Sequence, residues 1–251
     1  MSLILKNPHS VLAVLETRPG DVTRVVLPGA GKGKTDLGDA WERVARLARE
    51  LKIPVDSSFG GPKIAPRAGG DGRTGSAEGH VKEREPITAE ELFAGARERD
   101  GGKGLWIALD SLTDPHNVGA IFRTAAFFGV QGVLLTVERS APLTSAVYDV
   151  AAGGLEHVPF TLQPNIQRAF EIAKEEGMWI LGTSEHANDD ISSVQRDRPW
   201  LLVLGNEERG MRRLTEENCD VLCRVSPRGK TTSLNVSVAA GVLISRLASP
   251  V

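Results

Sequence analysis

Three short segments in the second half of the chain combine glycine with polar side chains that could bind or activate a ligand. They cover residues 114–129 (DPHNVGAIFRTAAFFG), 202–211 (LVLGNEERGM) and 225–238 (VSPRGKTTSLNVSV). Each begins where a predicted buried strand gives way to a loop or helix, and open α/β sheets bind their ligands at such points. We therefore expect the three segments to form one site.

Individual residues in these segments indicate what the site binds. Arg123 stands among apolar residues of a predicted helix, where a cation needs a partner; it serves either in a structural salt bridge or as a guanidinium that grips a phosphate. Gly205 and Gly210 permit close approach of the backbone to a flat ligand. Ser233 and Asn235 lie at a predicted helix start, where one could act merely as the cap.

Several common catalytic motifs are missing from the sequence. No G-x-G-x-x-G turn follows the strand LWIALD, which disfavours a standard dinucleotide fold. A Walker loop, an H-E-x-x-H pair and a nucleophile elbow are also missing, so kinase and hydrolase interpretations lose their support. His116, His157 and His186 fit no metal-ligand spacing, and we expect no metal.

Composition predicts a soluble, cytoplasmic protein. The 251 residues are 41% hydrophobic, with a formal net charge of −2. No apolar run approaches the roughly 20 residues that span a bilayer, and no export signal is visible. The two cysteines, Cys219 and Cys223, are interpreted as buried thiols in a reducing compartment.

The predicted elements of residues 105–251 alternate between near-continuous apolar strands and helices. The strands are LWIALD, GVLLTV, MWILGTS, WLLVLG and VLCRVS, typical of a parallel sheet covered on both faces. This pattern predicts a doubly wound α/β domain. Within residues 114–129, Pro115 predicts an extended backbone at Asp114. Asn117 is predicted to cap the following helix, and Gly129 is predicted to end it.

The first 85 residues predict a separate small α/β domain. Residues 57–79 form a glycine-rich loop carrying Lys63, Arg67 and Arg73, either an inert insertion or an arm that orders on phosphate. Residues 86–104 are predicted to be a short helix and a linker.

Taken together, the three segments resemble the three motifs of the SpoU (TrmH-like) RNA 2′-O-ribose methyltransferases. The resemblance covers about residues 105–248 and is greatest to the bacterial and mitochondrial enzymes that methylate a guanosine ribose in 23S-type ribosomal RNA. It is carried by DPHNVGAIFRTA, RSAPLTSAVYDVAAGGLEHVPF and NEERGMRRLTEENCD. More weakly, residues 1–85 resemble the family's ribosomal-protein-like RNA-binding domain.

The resemblance implies a SPOUT-type α/β fold with a trefoil knot, a mostly parallel sheet, a homodimer and S-adenosylmethionine as methyl donor. It places the donor against Thr183, Leu204, Gly205, Asn206, Gly210, Val225 and Leu234. It assigns catalytic or substrate-facing roles to Asn117, Arg123, Glu207, Ser233 and Asn235. Relatives usually have Ile-Pro-Met before the glycine of the third motif, where this chain has Val225-Ser226-Pro227-Arg228.

The implied activity is S-adenosylmethionine-dependent methylation of a ribose 2′-hydroxyl in 23S-type RNA. Arg228 and Lys230, with the cations of the glycine-rich loop, are expected to contact RNA phosphates. Three alternatives stay open at this point: a transfer-RNA methyltransferase of the same family, an antibiotic-resistance methyltransferase of the same architecture, and a catalytically silent RNA-binding module.

Overall fold

The computed structural model describes residues 2–28, 38–58 and 77–248. Most of the predicted glycine-rich loop, with Lys63, Arg67 and Arg73, lies outside these residues. Within them, no helix has both the length and the apolar character needed to cross a bilayer.

The N-terminal unit is a four-stranded sheet with two helices. Its elements are β1 (Ser2–Leu5), α1 (Pro8–Thr17), β2 (Val22–Pro28), α2 (Asp39–Glu50), β3 (Val55–Ser58) and β4 (Glu78–Lys82). The strand order is β1-β4-β2-β3, with β2 and β3 parallel and the other pairs antiparallel. The predicted small α/β unit is therefore present, with β1 as a strand that the sequence did not signal.

The segment predicted as a linker, residues 86–104, belongs to a hydrophobic core. Its helix α3 (Ala89–Phe93) begins with a capping box between Thr88 and Glu91. Leu92 and Phe93 are fully buried in the core cluster on one face of the second sheet. The predicted short helix is present, but the linker interpretation was wrong, because Ala96 beyond the helix is also fully buried in this core.

The second unit is a seven-stranded sheet in which every strand pairing is parallel. In chain order its elements are β5 (Leu105–Leu109), α4 (Pro115–Phe127), β6 (Gly132–Thr136), α5 (Ser145–Ala151), α6 (Gly154–His157), β7 (Phe160–Gln163), α7 (Ile166–Glu175), β8 (Trp179–Thr183), β9 (Asp189–Asp190), β10 (Trp200–Leu204), α8 (Arg213–Glu217), β11 (Val221–Arg224) and α9 (Val236–Ala248). All five predicted strands are present, and β7, β9 and α8 are additions.

The strand order β7-β6-β5-β10-β8-β11-β9 fixes where a ligand site should lie. From β5 the chain first continues to one side through β6 and β7, and later strands fill the other side. The connections that leave the carboxyl ends of β5 and β10 therefore diverge, which creates a crevice at this edge of the sheet. Strand order alone does not test the knot that the resemblance implies, and the knot stays a prediction.

Alternate residues of each strand point to opposite faces of the sheet and enter two different cores. Ile107, Leu135 and Leu202 pack with α4, α5, α9 and the N-terminal unit. Ala108, Leu134 and Val203 pack with α3 and α7. Burial on both faces explains why the strands are apolar along their whole length.

Polar contacts join the N-terminal unit to α5 and α6. Arg18 forms a bidentate pair with Glu156, at 2.8 and 2.9 Å, and the Glu156 side chain is almost completely buried. The Asp149 carboxylate accepts from the backbone N–H groups of Lys6 and Asn7. With the shared hydrophobic core, these contacts hold the two units together.

Candidate active site

The three polar segments meet at the carboxyl edge of the seven-stranded sheet. Residues 110–117 follow β5, residues 205–210 follow β10 and residues 225–235 follow β11. These strands lie within four neighbouring positions of the sheet. The sequence prediction that they form one site is thus consistent with the fold.

A chain of hydrogen bonds connects one residue from each segment. Asn235 Nδ2 donates to Asn117 Oδ1 at 2.9 Å, and Asn117 Nδ2 donates to Glu207 Oε1 at 3.0 Å. The other Glu207 oxygen accepts from Asn206 Nδ2 at 3.2 Å. Residues more than 100 positions apart in sequence are therefore held in one array.

The cap of α9 fixes the direction of this chain. Asn235 Oδ1 accepts from the backbone N–H groups of Ser237 and Val238, at 2.8 and 3.4 Å, and a backbone N–H can only donate. The Asn235 amide must therefore turn its NH₂ group to Asn117. That in turn leaves the Asn117 NH₂ group for Glu207, which accepts as a carboxylate.

Asn117 is not the cap of α4, contrary to the sequence prediction. The cap is Asp114, whose Oδ1 accepts from the His116 N–H at 2.9 Å, and Asp114 has the extended backbone that Pro115 requires. Asn117 lies one turn later and is 6% exposed. Its side chain is therefore free to join Asn235 to Glu207.

The loop that carries Glu207 is a tight turn with no space at its base. Asn206 and Gly210 exchange backbone hydrogen bonds of 3.0 and 2.9 Å, and Gly210 has a positive φ of 67°. A Cβ atom on Gly205 would lie 2.2 Å from the Met211 nitrogen. Glycine is required at position 205 because the loop folds back directly over it.

Three loops enclose the first cavity, which we call the three-loop crevice. It has a volume of about 810 Å³ and is lined by residues 183–186, 204–211 and 223–236, with contributions from Glu216, Ala239 and Leu243. This volume is within the range of sites for drug-sized ligands. All seven residues predicted to bind the donor line it, and so does Ser233.

Asp190 anchors the start of the third loop of this crevice. Its carboxylate accepts from Ser192 Oγ at 2.7 Å, from the Ser192 N–H at 2.9 Å and from the Ser226 N–H at 3.0 Å. These hydrogen bonds, first those of Ser192 and then that of Ser226, hold the pKa of Asp190 well below its usual value. The segment that departs from the family pattern, Val225 to Arg228, is thus anchored through the backbone N–H of Ser226.

A second cavity, the arginine cavity, lies on the other side of the Glu207 loop. It has a volume of about 830 Å³ and is lined by Ser111, Thr113, Asp114, Asn117, Arg139, residues 206–213 and Asn235. Glu207 and Asn235 line both cavities. The hydrogen-bonded chain therefore stands between two spaces, each large enough for a ligand.

Arg123 lies outside this arrangement. It is on the exposed face of α4 and lines neither cavity, whereas Ile121, Phe122 and Ala125 supply the buried face. The expectation that Arg123 is enclosed among those apolar residues was wrong, because at 100° per residue it faces away from them. Among the described residues, the structure also gives it no carboxylate partner, so the salt-bridge interpretation is not supported.

The predicted RNA-contacting cations separate into two groups. Arg228 and Lys230 are exposed and line the three-loop crevice. Lys63, Arg67 and Arg73 lie outside the described residues, and their role stays a prediction. Among the described residues no cluster of His, Cys, Asp and Glu is placed to hold a metal ion, and the predicted absence of a metal stays a prediction as well.

The two cysteines lie near the site, but their thiols are not reactive. Cys223 is buried at the edge of the three-loop crevice, and Cys219 is half-buried with its Sγ donating to the Thr215 carbonyl at 3.2 Å. Burial raises the pKa of each thiol to about 12. Both are thus mainly protonated at neutral pH, which suits packing rather than nucleophilic chemistry.

The family to which this fold and site belong follows from comparison with known proteins. A model of the SpoU rRNA Methylase family matches residues 104–245. The chain belongs to this family. The match spans β5 through most of α9, so all three polar segments lie inside it.

Related proteins extend the likeness over the N-terminal unit. The 23S rRNA (guanosine-2′-O-)-methyltransferase RlmB of Pseudomonas aeruginosa is 36% identical over 238 residues, which cover 94% of this chain and 92% of that protein. The SpoU methyltransferase AviRb of Streptomyces viridochromogenes has a similar structure, with a TM-score of 0.75 and 19% identity over 98% of this chain and 88% of that one. An AdoMet-bound rRNA methyltransferase from Sinorhizobium meliloti gives a TM-score of 0.74 at 20% identity, over 98% of this chain and 86% of that one. At these identities the two structures establish the SpoU fold and no finer property.

Sequence reasoning missed several residues of the site. Ser111 and Arg139 line the arginine cavity with positive φ angles of 63° and 57°. Neither is a glycine, so no sequence signal marked these two turns. Arg209 and Arg213, which line the same cavity, were not singled out within their motif.

Proposed function

We propose that the protein transfers a methyl group from S-adenosylmethionine to a ribose 2′-hydroxyl of a guanosine in 23S-type ribosomal RNA. The observation that carries this proposal is the Asn235–Asn117–Glu207 chain between the two cavities. Membership of the SpoU family supports the reaction type. The name of the 36% identical relative supports the guanosine and the RNA.

The three-loop crevice fits the proposed donor. Leu204, Val225 and Leu234 give it apolar surface, and Gly205 and Gly210 of the neighbouring turn let the backbone approach a ligand closely. A site built largely from backbone needs no glycine-rich dinucleotide fingerprint, which accounts for the missing motif. When bound, S-adenosylmethionine supplies a methyl group that its sulfonium already activates.

The chain's own residues then have one main task, which is to hold the ribose in line with that methyl group. Glu207 is fixed by Asn117 and Asn206, and each carboxylate oxygen retains a second lone pair. We assign Glu207 to accept a hydrogen bond from the 2′-hydroxyl, with Ser233 and Asn235 aligning it. Positioning of this kind can lower a barrier by several kcal/mol without a strong base.

The proposed assembly is a homodimer, which accounts for an exposed apolar face. Val238 and Val242 of α9 are 53% and 41% exposed, and Leu234 just before the helix is 51% exposed. Phe127 of α4, a helix that packs against α9, is 83% exposed. Such a surface fits a second copy of the chain.

The dimer also offers a place for Arg123. Because Arg123 lies on the exposed face of α4, outside the cavities of its own chain, it can act on a nucleotide only from outside that chain's site. We assign it to the active site of the partner copy, where its guanidinium would hold a phosphate and stabilise the developing alkoxide. The arginine stays protonated in this role, as a free guanidinium does.

Mixing two inactive variants tests this assignment. If Arg123 acts across the dimer, co-expressed Arg123→Ala and Glu207→Ala chains form mixed dimers in which one of the two sites is intact. Random pairing then restores about a quarter of wild-type activity. Activity no higher than that of either variant alone would place Arg123 and Glu207 in the same chain's site and contradict the assignment.

Donor binding and substrate choice test the proposal as a whole. S-adenosylmethionine at 100 times its Kd should add about 2.7 kcal/mol to the free energy of unfolding and raise Tm by roughly 5 to 10 °C. Labelled methyl groups should enter a large-subunit ribosomal transcript and not a pool of transfer RNA. Label in transfer RNA alone would favour the alternative family activity, and an unchanged Tm with no label would leave only an RNA-binding module. The predicted cytoplasmic location stays a prediction.

We also propose that the N-terminal unit, residues 1–85, helps to bind the RNA. It is docked through α1 onto α5 and α6, which pack against α4, so RNA held there would remain in a fixed relation to Asn117. The first 84 residues carry 14 Lys and Arg against 10 Asp and Glu, which suits a polyanion better than the more acidic remainder.

A further inference from the structure

The arginine cavity is lined by more arginines than acidic residues, and not every arginine has a carboxylate partner in the described part of the structure. Four arginines line it: Arg139, Arg209, Arg212 and Arg213. Two have a carboxylate partner, since Arg212 lies 2.7 Å from Asp110 and Arg213 lies 3.0 Å from Glu217. For Arg139 and Arg209 the described part of the structure shows no carboxylate partner.

The acidic residues of the same cavity are largely engaged elsewhere. Asp114 caps α4, and Glu207 is held by the amides of Asn117 and Asn206. Glu208, next to Arg209, is the third carboxylate on the wall. Two unpaired guanidinium groups therefore face a cavity that also contains the ends of the Asn235–Asn117–Glu207 chain.

The backbone of Arg139 lies in a strained turn that its neighbours hold. Its φ of 57° is unusual for a residue with a side chain, and Ser111 on the neighbouring loop has a φ of 63°. The buried Thr136 hydroxyl joins the two loops: it accepts from the Ser111 N–H at 3.0 Å and lies 2.7 Å from Ser140 Oγ. Strained turns of this kind persist only where their surroundings enforce them, and they cluster at functional sites.

We propose that the arginine cavity binds the RNA backbone beside the reacting ribose, with Arg139 and Arg209 as its phosphate ligands. This inference rests on the proposed function and extends it to the face of the site opposite the donor. A ribose between the two cavities carries a phosphodiester on each side, and a phosphate on the side away from the donor would enter the arginine cavity. Guanidinium groups match phosphate oxygens with two parallel N–H donors.

The test compares RNA binding and methyl transfer for Arg139→Ala and Arg209→Ala in the full-length protein. For each variant we expect the KM for the ribosomal transcript to rise roughly ten-fold, with little change in kcat. Arg139→Ala should also leave S-adenosylmethionine affinity unchanged, because Arg139 lines only the arginine cavity, whereas Arg209 also lines the three-loop crevice. The slope of log K against log salt for RNA binding should fall by about 0.7 for each phosphate contact removed. Arg139→Lys should retain most of the salt slope but recover only part of the affinity, because an ammonium cannot bind bidentately.

Arg168→Ala is the matched control. Arg168 is an exposed arginine of the same unit, on α7, where it pairs with Glu171 at 2.9 Å and lines neither cavity. Its replacement should change neither the KM nor the salt slope. If Arg139→Ala and Arg209→Ala behave like this control while the wild type methylates RNA, the phosphate assignment is overturned and the proposed function stands. If the wild type transfers no methyl group, the proposed function fails, and the salt slope of RNA binding still decides the assignment.

Discussion

Asn235→Asp should reduce methyl transfer by roughly 30- to 100-fold and lower the free energy of unfolding by about 2 to 3 kcal/mol. The introduced carboxylate can still cap α9, because aspartate and asparagine are about equally good caps. It can no longer donate to Asn117 Oδ1, which lies 2.9 Å from Asn235 Nδ2 in the wild-type protein. Two acceptors would face each other at that distance.

Turning the Asn117 amide cannot repair the defect. If its NH₂ group turns to the new carboxylate, its oxygen turns to Glu207, and the acceptor-acceptor contact moves 3.0 Å along the chain. A buried polar contact broken in this way costs about 2 to 3 kcal/mol of unfolding free energy. The side chains that move apart to relieve the contact no longer hold Glu207 in position, and a misplacement of about 1 Å can cost roughly 100-fold in rate.

Asn235→Ala distinguishes this mechanism from a simple loss of the helix cap. Alanine removes the cap, at about 1 kcal/mol of unfolding free energy, but introduces no second acceptor. We therefore expect Asn235→Ala to be the more stable of the two variants and the more active one. Urea unfolding and single-turnover rates would show this, and an aspartate variant more active than the alanine variant would contradict the fixed direction of the chain.

Gly205→Ala should weaken S-adenosylmethionine binding by at least ten-fold and destabilise the fold by about 1 to 3 kcal/mol. The added Cβ would meet backbone rather than a flexible side chain, at 2.2 Å from Met211 N and 2.3 Å from the Gly210 carbonyl carbon. The turn must therefore move outward, and it carries Glu207 and part of the wall of both cavities.

Two further glycines provide the comparison for Gly205. Gly20 has no atom within 4 Å of an added Cβ and no positive φ, so Gly20→Ala should leave donor affinity and stability unchanged. Gly210→Ala also meets no atom, but its φ of 67° should cost about 1 to 2 kcal/mol. Isothermal titration of the three variants separates loss of space from backbone strain, and wild-type donor affinity in Gly205→Ala would show that the turn does not shape the crevice.

The sequence specified the parallel sheet well because its strands are buried on both faces. A short apolar run such as WLLVLG is typical of a strand in the interior of a sheet, and β10 is found where this run predicts a strand. The strand β7 was missed because FTLQ is short and half polar, and β1 because it begins at the second residue. In residues 86–104 the short helix was predicted, but glycine and charge obscured the burial of Leu92, Phe93 and Ala96 in the core.

The site was predictable as a set of positions but not as a set of contacts. The resemblance to the family's motifs pointed to Asn117, Glu207 and Asn235, and the structure connects these three directly. The order and direction of the hydrogen bonds among them depend on the cap of α9, and a sequence does not show such contacts. For Arg123 the environment predicted from the sequence was wrong, because its neighbours in sequence are buried whereas Arg123 itself lies on the exposed face of the helix.

The most direct test of the account is the chemical identity of the methylated product. The purified protein is incubated with labelled S-adenosylmethionine and a large-subunit ribosomal transcript, and the RNA is digested to nucleosides and analysed by mass spectrometry. The account predicts that the label appears as 2′-O-methylguanosine at one position and is lost in Glu207→Ala but kept in Arg168→Ala. Label on a base, or no label from a protein that binds the donor, would contradict it.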